Sequence, residues 1–326
     1  MSPNAISVII PLYNKELEIA NAIQSVLNQT HTCYELIIVN DGSTDDSRRI
    51  VTTFSDPRIR LFDKENGGVS SARNFGIKNA AFDWIAFLDG DDRWGENFLS
   101  ILLALRDKFP SAAIYGGQYL EVNHNGPLAH PKRFPPIEEG YFQVESYIHA
   151  IHSSSIILRK DVFKSCGLFD ENLIQGEDKD MWIRIGMKHK ACYTNKIVSF
   201  YYTYGNPLRK SFGRIPKIEN HLLSKLDLYI GTCGIEWDEA LLNLKIKYLE
   251  KFYLIYPFNK EIRRLLESLP GDSLISLSKS YLKKNRATVV FISFLKRLQL
   301  LVRFVINKIR LLHLKYLLRY KPEVDK

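Results

Sequence analysis

The chain has 326 residues, 45% of them hydrophobic and 25% charged, with a formal net charge of +9. That length allows one large domain plus a smaller one, and the composition excludes a disordered or fibrous chain. The first ten residues, MSPNAISVII, lack the basic start of a secretory signal, and no run of 18 uncharged apolar residues offers a transmembrane helix.

Residues 6–10 (ISVII) read as a buried strand stopped by Pro11. A helix is predicted over residues 16–28, where Leu17, Ala20, Ile23 and Leu27 recur at spacings of three and four. ELIIV (35–39) is a second strand, closed by the turn-rich NDGSTDDS, in which Thr44 or Asp45 can cap the next helix. IRLF (59–62) is a third strand, followed by the loop ENGGVSS and a helix from Ser70 or Ser71 to about Ala80. WIAFL (84–88) is a fourth and runs into the acidic cluster DGDD. Strand and helix alternating at this spacing mean βαβ units, hence an α/β fold with a mainly parallel sheet covered by helices. HSSSIILRKDVF (152–163) reads as a loop, a strand and a helix start, and GEDKDMWIRI (176–185) as the start of an amphipathic helix containing Met181, Trp182 and Ile185. From about Pro207 helical patterns rich in Leu, Lys and Tyr replace the strands, broken at Pro216, Pro257 and Pro270-Gly271. The organisation expected is an α/β domain over 1–205 and a mostly helical region over 206–326.

Open parallel sheets bind ligands at the carboxyl ends of their strands. Here those ends carry Tyr13, Asp41, and Asp89 with Asp91, side chains suited to a nucleotide and a metal. Hard oxygen ligands such as Asp89 and Asp91 are what Mg²⁺ or Mn²⁺ prefers, with a diphosphate supplying further oxygens. An acidic turn before a helix near Glu96 is the plainer reading of the same residues. Glu177, Asp178 and Asp180 open a helix, where carboxylates are stabilised by the helix dipole. One of them, with Asp178 preferred, can instead act as a general base on an acceptor hydroxyl. The loop at 65–77 offers backbone amides and Arg73 to an anion, although Arg73 can equally pair with a structural carboxylate. Ser154 is either an acceptor-facing hydroxyl or a satisfied structural serine. Four widely spaced cysteines, with no C-x-x-C pair, read as reduced thiols.

Taken together, SVIIPLYN (7–14), ELIIVNDGSTDDS (35–47), NGGVSSARNFGI (66–77), WIAFLDGDD (84–92), CGLFDE (166–171) and GEDKDMWIRI (176–185) resemble the inverting glycosyltransferase family 2, in order and separation. The resemblance covers roughly residues 5–205. It implies a GT-A fold, a Rossmann-like nucleotide-binding sheet, and sugar transfer from a nucleotide-sugar, by default a UDP-sugar, to a glycan or lipid-linked acceptor. Carried over by position, Pro11 and Tyr13 line the base pocket, Asp41 hydrogen-bonds the nucleobase, and Arg73 borders the nucleotide. Asp89 lies near the ribose and metal, Asp91 binds Mn²⁺ or Mg²⁺, and Asp178 is the catalytic base. Glu177 and Ser154 fall on the acceptor side. The stretch FYYTYGNPLRKSF (200–212) lacks the histidine many relatives carry there; Arg209, Lys210 or Ser211 can meet the diphosphate instead.

The charge is unevenly placed. Residues 1–205 hold 21 Lys and Arg against 25 Asp and Glu, whereas residues 206–326 hold 24 against 11. That asymmetry points to a catalytic body with a basic surface-binding element, not to a uniformly basic nucleic-acid binder. Over residues 289–320 one helical face would carry Leu298, Val305, Ile309, Leu312 and Tyr316, with Lys296, Arg303, Asn307 and Arg310 opposite. The pattern suits a peripheral helix on the cytoplasmic face of a membrane, or one packed on the catalytic domain or another subunit. Cell-envelope glycan synthesis is the setting this implies. Two competing readings are a nucleotidyltransferase, which would want glycines that PLYNKELEIA lacks, and a non-catalytic relative.

Overall fold

The computed structural model describes residues 3–123, 126–127, 138–203 and 218–255. The chain divides into two compact units, Met1–Gly205 with Asn220–Leu222, and Asn206–Glu219 with Leu223–Lys326. In the first unit β1 (Ile6–Leu12), α1 (Ile19–Leu27), β2 (Tyr34–Asp41), α2 (Ser47–Val51), β3 (Ile59–Lys64), α3 (Val69–Asn79) and β4 (Trp84–Phe87) alternate as expected. After them come β5 (Arg93–Trp94), α4 (Phe98–Lys108), β6 (Ile114–Asn123), β7 (Gly126–Pro127), β8 (Glu139–Tyr141), α5 (Val144–Ala150), β9 (Ile156–Arg159), α6 (Val162–Cys166), α7 (Glu177–Gly186) and β10 (Ala191–Tyr202). In the second unit the described helices are α8 (Leu223–Tyr229) and α9 (Ile235–Ile255).

One sheet runs in the order β3-β2-β1-β4-β9-β6-β10-β5, with β7 on β6 and β8 on β10. The parallel part is β3-β2-β1-β4. Beyond it β9 runs antiparallel to both β4 and β6, while β6 and β10 are again parallel. Both faces of β1 are covered: all seven of its residues are buried, which is what a continuous apolar run in a parallel sheet requires. On one face Ile6, Val8, Ile10 and Leu12 pack with Ile19, Ala22, Ile23 and Val26 of α1 and with Phe98, Leu99 and Leu102 of α4. On the other face lies α3, which approaches β1 through Gly76.

Pro11 does not stop the first strand, which continues through it to Leu12. The reason lies in the neighbours. Ile9 accepts a bond from Leu88 N on the β4 side, so Pro11, two residues on, turns its nitrogen the same way. Pairing with β4 has ended by then, at Ile9 opposite Phe87, so the missing N–H breaks no ladder bond. The predicted helix at 16–28 begins only at Ile19, because Lys15 to Glu18 form a turn in which the Lys15 carbonyl accepts from Glu18 N and Ile19 N. Asp45 does take up an amide at the start of α2, accepting from Ser47 N at 3.0 Å. The acidic cluster leads into the short β5 before α4, so it does not cap that helix directly.

Of the four free thiols, Cys166 and Cys192 are buried and Cys33 and Cys233 are half-buried. Among the described residues no helix is long and apolar enough to cross a membrane. The amphipathic segment at 289–320, and Arg209, Lys210 and Ser211, lie outside the described residues.

The α3–β1 contact gives a direct test of packing. A β-carbon at Gly76 would sit 2.5 Å from Ile9 Cγ2, and that methyl belongs to a side chain with no exposed surface. Gly76→Val gains only about 0.5 kcal/mol in helix preference, against an overpacking cost of about 1–3 kcal/mol. Urea unfolding should therefore show a net loss of stability; an unchanged midpoint would mean α3 is not seated this closely.

Candidate active site

The carboxyl ends of β1 and β2 are tied together before any ligand enters. Asn14 sits in the left-handed region at φ 51°, and its Oδ1 accepts from Thr44 N at 2.8 Å. Asn14 N donates to Ser43 Oγ, Lys15 N to Ser47 Oγ and Glu16 N to Asp45 Oδ2. The polar run NDGSTDDS therefore spends much of its hydrogen-bonding capacity holding the first loop. Tyr13, at the end of β1, stays open to solvent, while Pro11 is buried in the strand.

Asp41 ends β2 and is almost wholly buried. Its carboxylate accepts from Lys64 Nζ at 2.6 Å, Gly67 N at 2.9 Å and Gly68 N at 2.8 Å, and its carbonyl accepts from Asn66 Nδ2. Lys64 is the register partner of Asp41 on β3, so the pair is set by the parallel ladder itself. Such a carboxylate is fixed by a cation and two amides, and it shapes the loop that leads into α3.

At the end of β4 the three aspartates part company. Asp92 turns inward and is buried; it accepts from Ser154 Oγ at 2.7 Å and from Tyr202 N at 3.3 Å. The Ser154 hydroxyl in turn receives Asp89 N at 3.1 Å, and the Ser154 carbonyl receives Trp94 Nε1 at 2.8 Å. Ser154 is thus a buried strut of the acidic turn, and the structure does not present it to an acceptor. Asp89 and Asp91 face outward from the turn, each with a cation: Asp89 with Arg73 Nη2 at 2.7 Å, Asp91 with Lys15 Nζ at 2.5 Å.

The helix α7 brings in the remaining carboxylates. It starts after Gly176, at φ 81°, where a β-carbon would also lie 2.8 Å from Leu222 Cβ, so only glycine fits. An aromatic triangle sets its position: Phe87 at the end of β4, Phe169, and Trp182 of α7 have ring centroids 5.6, 5.8 and 6.3 Å apart. Each such pair contributes about 0.5–1.5 kcal/mol beyond its buried area. Asn74 of α3 clamps the approach, exchanging bonds with the backbone N and O of Phe169 at 2.9 Å. Of the three acids in the first turn, Asp180 is buried and bonded to Arg184, which leaves Glu177 and Asp178 towards the site.

Arg73 joins the two halves. It is buried, bonds Asp89, reaches Glu177 Oε1 at 3.4 Å and lies over the Phe169 ring. Burial alone would lower its pKa, but the charges of Asp89, Glu177 and Asp178 outweigh this and raise it. Burial is also the main influence on Glu177, followed by repulsion from Asp178; together they overcome the pull of Arg73 and push its pKa up to about 7.

Residues 7–167 match Glycosyl transferase family 2. This stretch is a family 2 glycosyltransferase domain. The chain is 36% identical over 200 residues to an uncharacterised glycosyltransferase of Rickettsia felis, covering 60% of this chain and 32% of that protein. It is 40% identical over 126 residues to the Escherichia coli UDP-Glc:alpha-D-GlcNAc-diphosphoundecaprenol beta-1,3-glucosyltransferase WfgD, covering 38% of this chain and 49% of that one. The chain thus spans less than half the length of each of these two relatives. In fold it resembles Staphylococcus aureus TarS (residues 1–349) in complex with UDP-GlcNAc, with a TM-score of 0.64 at 19% identity over 76% of this chain and 72% of that one. The GT-A fold expected from the sequence is the fold the chain has.

Within the family 2 domain the structure gathers Asp89, Asp91 and Arg73 at one strand end, and α7, just past the matched stretch, adds Glu177 and Asp178. Asp41 belongs to the neighbouring loop. Among the described residues no group of three or more acidic, cysteine or histidine side chains is arranged to hold a metal ion. Asp89 and Asp91 are hard oxygen donors but only two, a set that fits Mg²⁺ or Mn²⁺ when diphosphate oxygens complete the shell. The contacts of Lys15 and Lys64, and the pairing of Ser154 with Asp92, carry no signal in the sequence, because they depend on strand register and loop path.

The raised Glu177 pKa has a consequence for stability. Folded Glu177 takes its proton at about pH 7, an unfolded glutamate at about 4.3. Between those values the folded chain binds the extra proton, so this group's contribution falls as pH rises through the window and is flat above it. Glu177→Gln removes the effect. The unfolding free energy of wild type relative to the variant should decline from about pH 5 to about pH 7; parallel pH profiles would show that Glu177 titrates normally.

Proposed function

We propose that the chain transfers a sugar from a UDP-sugar to a hydroxyl of a lipid-linked saccharide in cell-envelope glycan synthesis, inverting the anomeric carbon. The observation that carries this reading is Arg73, a single buried side chain in contact with both Asp89 of the acidic turn after β4 and Glu177 at the start of α7. A donor lying on the turn and an acceptor hydroxyl meeting α7 are then brought within reach of each other. The likeness to WfgD, whose name specifies UDP-Glc and a diphosphoundecaprenol-linked acceptor, supports the choice of substrates. The fold shared with TarS bound to UDP-GlcNAc supports the nucleotide.

In this reading the nucleotide lies over the ends of β1 and β2, with Tyr13 and Pro11 beside the base and Asp41 holding the loop around it. Asp178 takes the acceptor O–H proton as that oxygen bonds to the anomeric carbon. The bond from that carbon to the diphosphate oxygen breaks, and its electrons leave with UDP. Mn²⁺ or Mg²⁺, held by Asp91 and Asp89 with diphosphate oxygens, would neutralise the leaving group as a Lewis acid. Arg73 keeps Asp89 and Glu177 in place and limits their mutual repulsion. Glu177 borders the acceptor, and the basic segment at 289–320 would hold the chain at the cytoplasmic membrane face, where lipid-linked acceptors lie.

The decisive experiment offers UDP-glucose and UDP-GlcNAc with Mn²⁺ to a polyprenyl-diphosphate-linked saccharide. Transfer with release of UDP is expected. No transfer or hydrolysis from any nucleotide-sugar, together with no nucleotide affinity, would sink the reading. Asp178→Asn should keep its affinity for UDP while turnover drops by about 10²–10⁴-fold, the span of general-base catalysis. A fully active variant would remove Asp178 from that role.

A further inference from the structure

Lys15 crosses the acidic turn in a way the reaction above leaves unused. Its backbone is fixed on both sides, donating to Ser47 Oγ at 2.7 Å and accepting from Glu18 N and Ile19 N. Its stem passes close to Gly90, where a β-carbon would lie 3.4 Å from Lys15 Cγ. Its ammonium ends 2.5 Å from Asp91 Oδ2, with the lysine and aspartate side chains only 18% and 10% exposed. The carboxylate that fits a divalent cation already holds a cation of its own chain.

A divalent cation on the same carboxylate would compete with the ammonium. A metal coordinated to the same carboxylate oxygen at about 2.1 Å would stand roughly 4 Å from the ammonium, and both are positive. We propose that Lys15 and a divalent cation are alternative partners of Asp91, so that the site takes up metal only together with a diphosphate, which receives the displaced ammonium. This rests on the reading of the chain as a nucleotide-sugar enzyme with a metal at Asp91. Lysine chemistry suits such an exchange, because the ammonium is a compact point charge on a flexible stem and can swing from carboxylate to phosphate. The nearby turn gives the ammonium a defined resting place, and the fixed backbone keeps it from drifting to solvent.

The test measures Mn²⁺ binding by electron paramagnetic resonance, with the full chain, with and without UDP. Without UDP, wild type should bind Mn²⁺ weakly and Lys15→Met at least roughly tenfold more tightly, because the competing charge is gone. Lys15→Arg, which keeps the charge, should behave as wild type, and Asp91→Asn should bind no Mn²⁺ in either condition. With metal absent, calorimetry should show UDP binding Lys15→Met about three- to tenfold more weakly than wild type, because the diphosphate has lost a cation. Opposite signs for metal and nucleotide separate displacement from misfolding, which would weaken both. Lys15→Met binding Mn²⁺ no more tightly than wild type would overturn the proposal, as would wild type binding Mn²⁺ equally well with and without UDP. If UDP binds but Mn²⁺ binds none of these proteins, the metal reading falls and this proposal with it. If UDP itself does not bind, the donor reading falls first.

Discussion

A buried guanidinium keeps its proton, so its charge must be met inside the protein, and that constraint organises this end of the sheet. Arg73 meets it with Asp89 on one side and Glu177 on the other, and the Phe169 ring lies against its plane. For Arg73 to be there, α3 must lie close on β1, which is what Gly76 permits. For Glu177 to be there, α7 must start at one particular point, which Gly176 and the aromatic triangle of Phe87, Phe169 and Trp182 enforce. Reversed, the same logic explains why so many carboxylates can share one strand end. Arg73 and Lys15 offset the repulsion among Asp89, Asp91, Glu177 and Asp178.

The acids differ in what they do, and burial decides which does what. Asp92 and Asp180 are almost fully enclosed and bonded to protein groups, so they shape the turn and the helix. Asp41 is enclosed as well, but its partners are backbone amides of the loop before α3 and one lysine, which ties strand register to loop conformation. Asp89 and Asp91 are paired with side-chain cations in place of fixed amides, and the lysine on Asp91 in particular has the flexible stem expected where partners must be exchanged. Preorganisation here comes from the inward-facing acids.

Much of this is legible in the sequence, for identifiable reasons. Strands such as ISVII and ELIIV are continuous apolar runs because both faces of the parallel half are covered, and the strand ends announce themselves as DGS and DGDD. What escapes is whatever depends on a neighbour far along the chain. Pro11 reads as a strand terminator until β4 is seen to end before it. The reversal at β9 leaves no local mark, since the apolar run Ile156 to Leu158 reads the same whichever way it runs. In DGDD nothing local says that Asp92 faces in while Asp91 faces out; a serine more than sixty residues away decides it. Lys15 looks like any solvated lysine after a strand.

The placement of α7 shows how far such dependence reaches. Its N-terminus is met by a short return of the chain at 220–222, which belongs with the first unit although the residues on either side belong to the second. Asn220 O accepts from Ile174 N, Leu222 N donates to Gln175 O, and Gln175 and His221 form an isolated parallel bridge. Leu222 then fills the space that any side chain at Gly176 would need. Three backbone contacts over three residues fix the phase of a helix, and the phase decides whether Glu177 and Asp178 or the residues beside them face Arg73, because one position along a helix is a rotation of about 100°. The placement of the carboxylates at the mouth of β4 therefore depends on a segment that shares none of its sequence motifs.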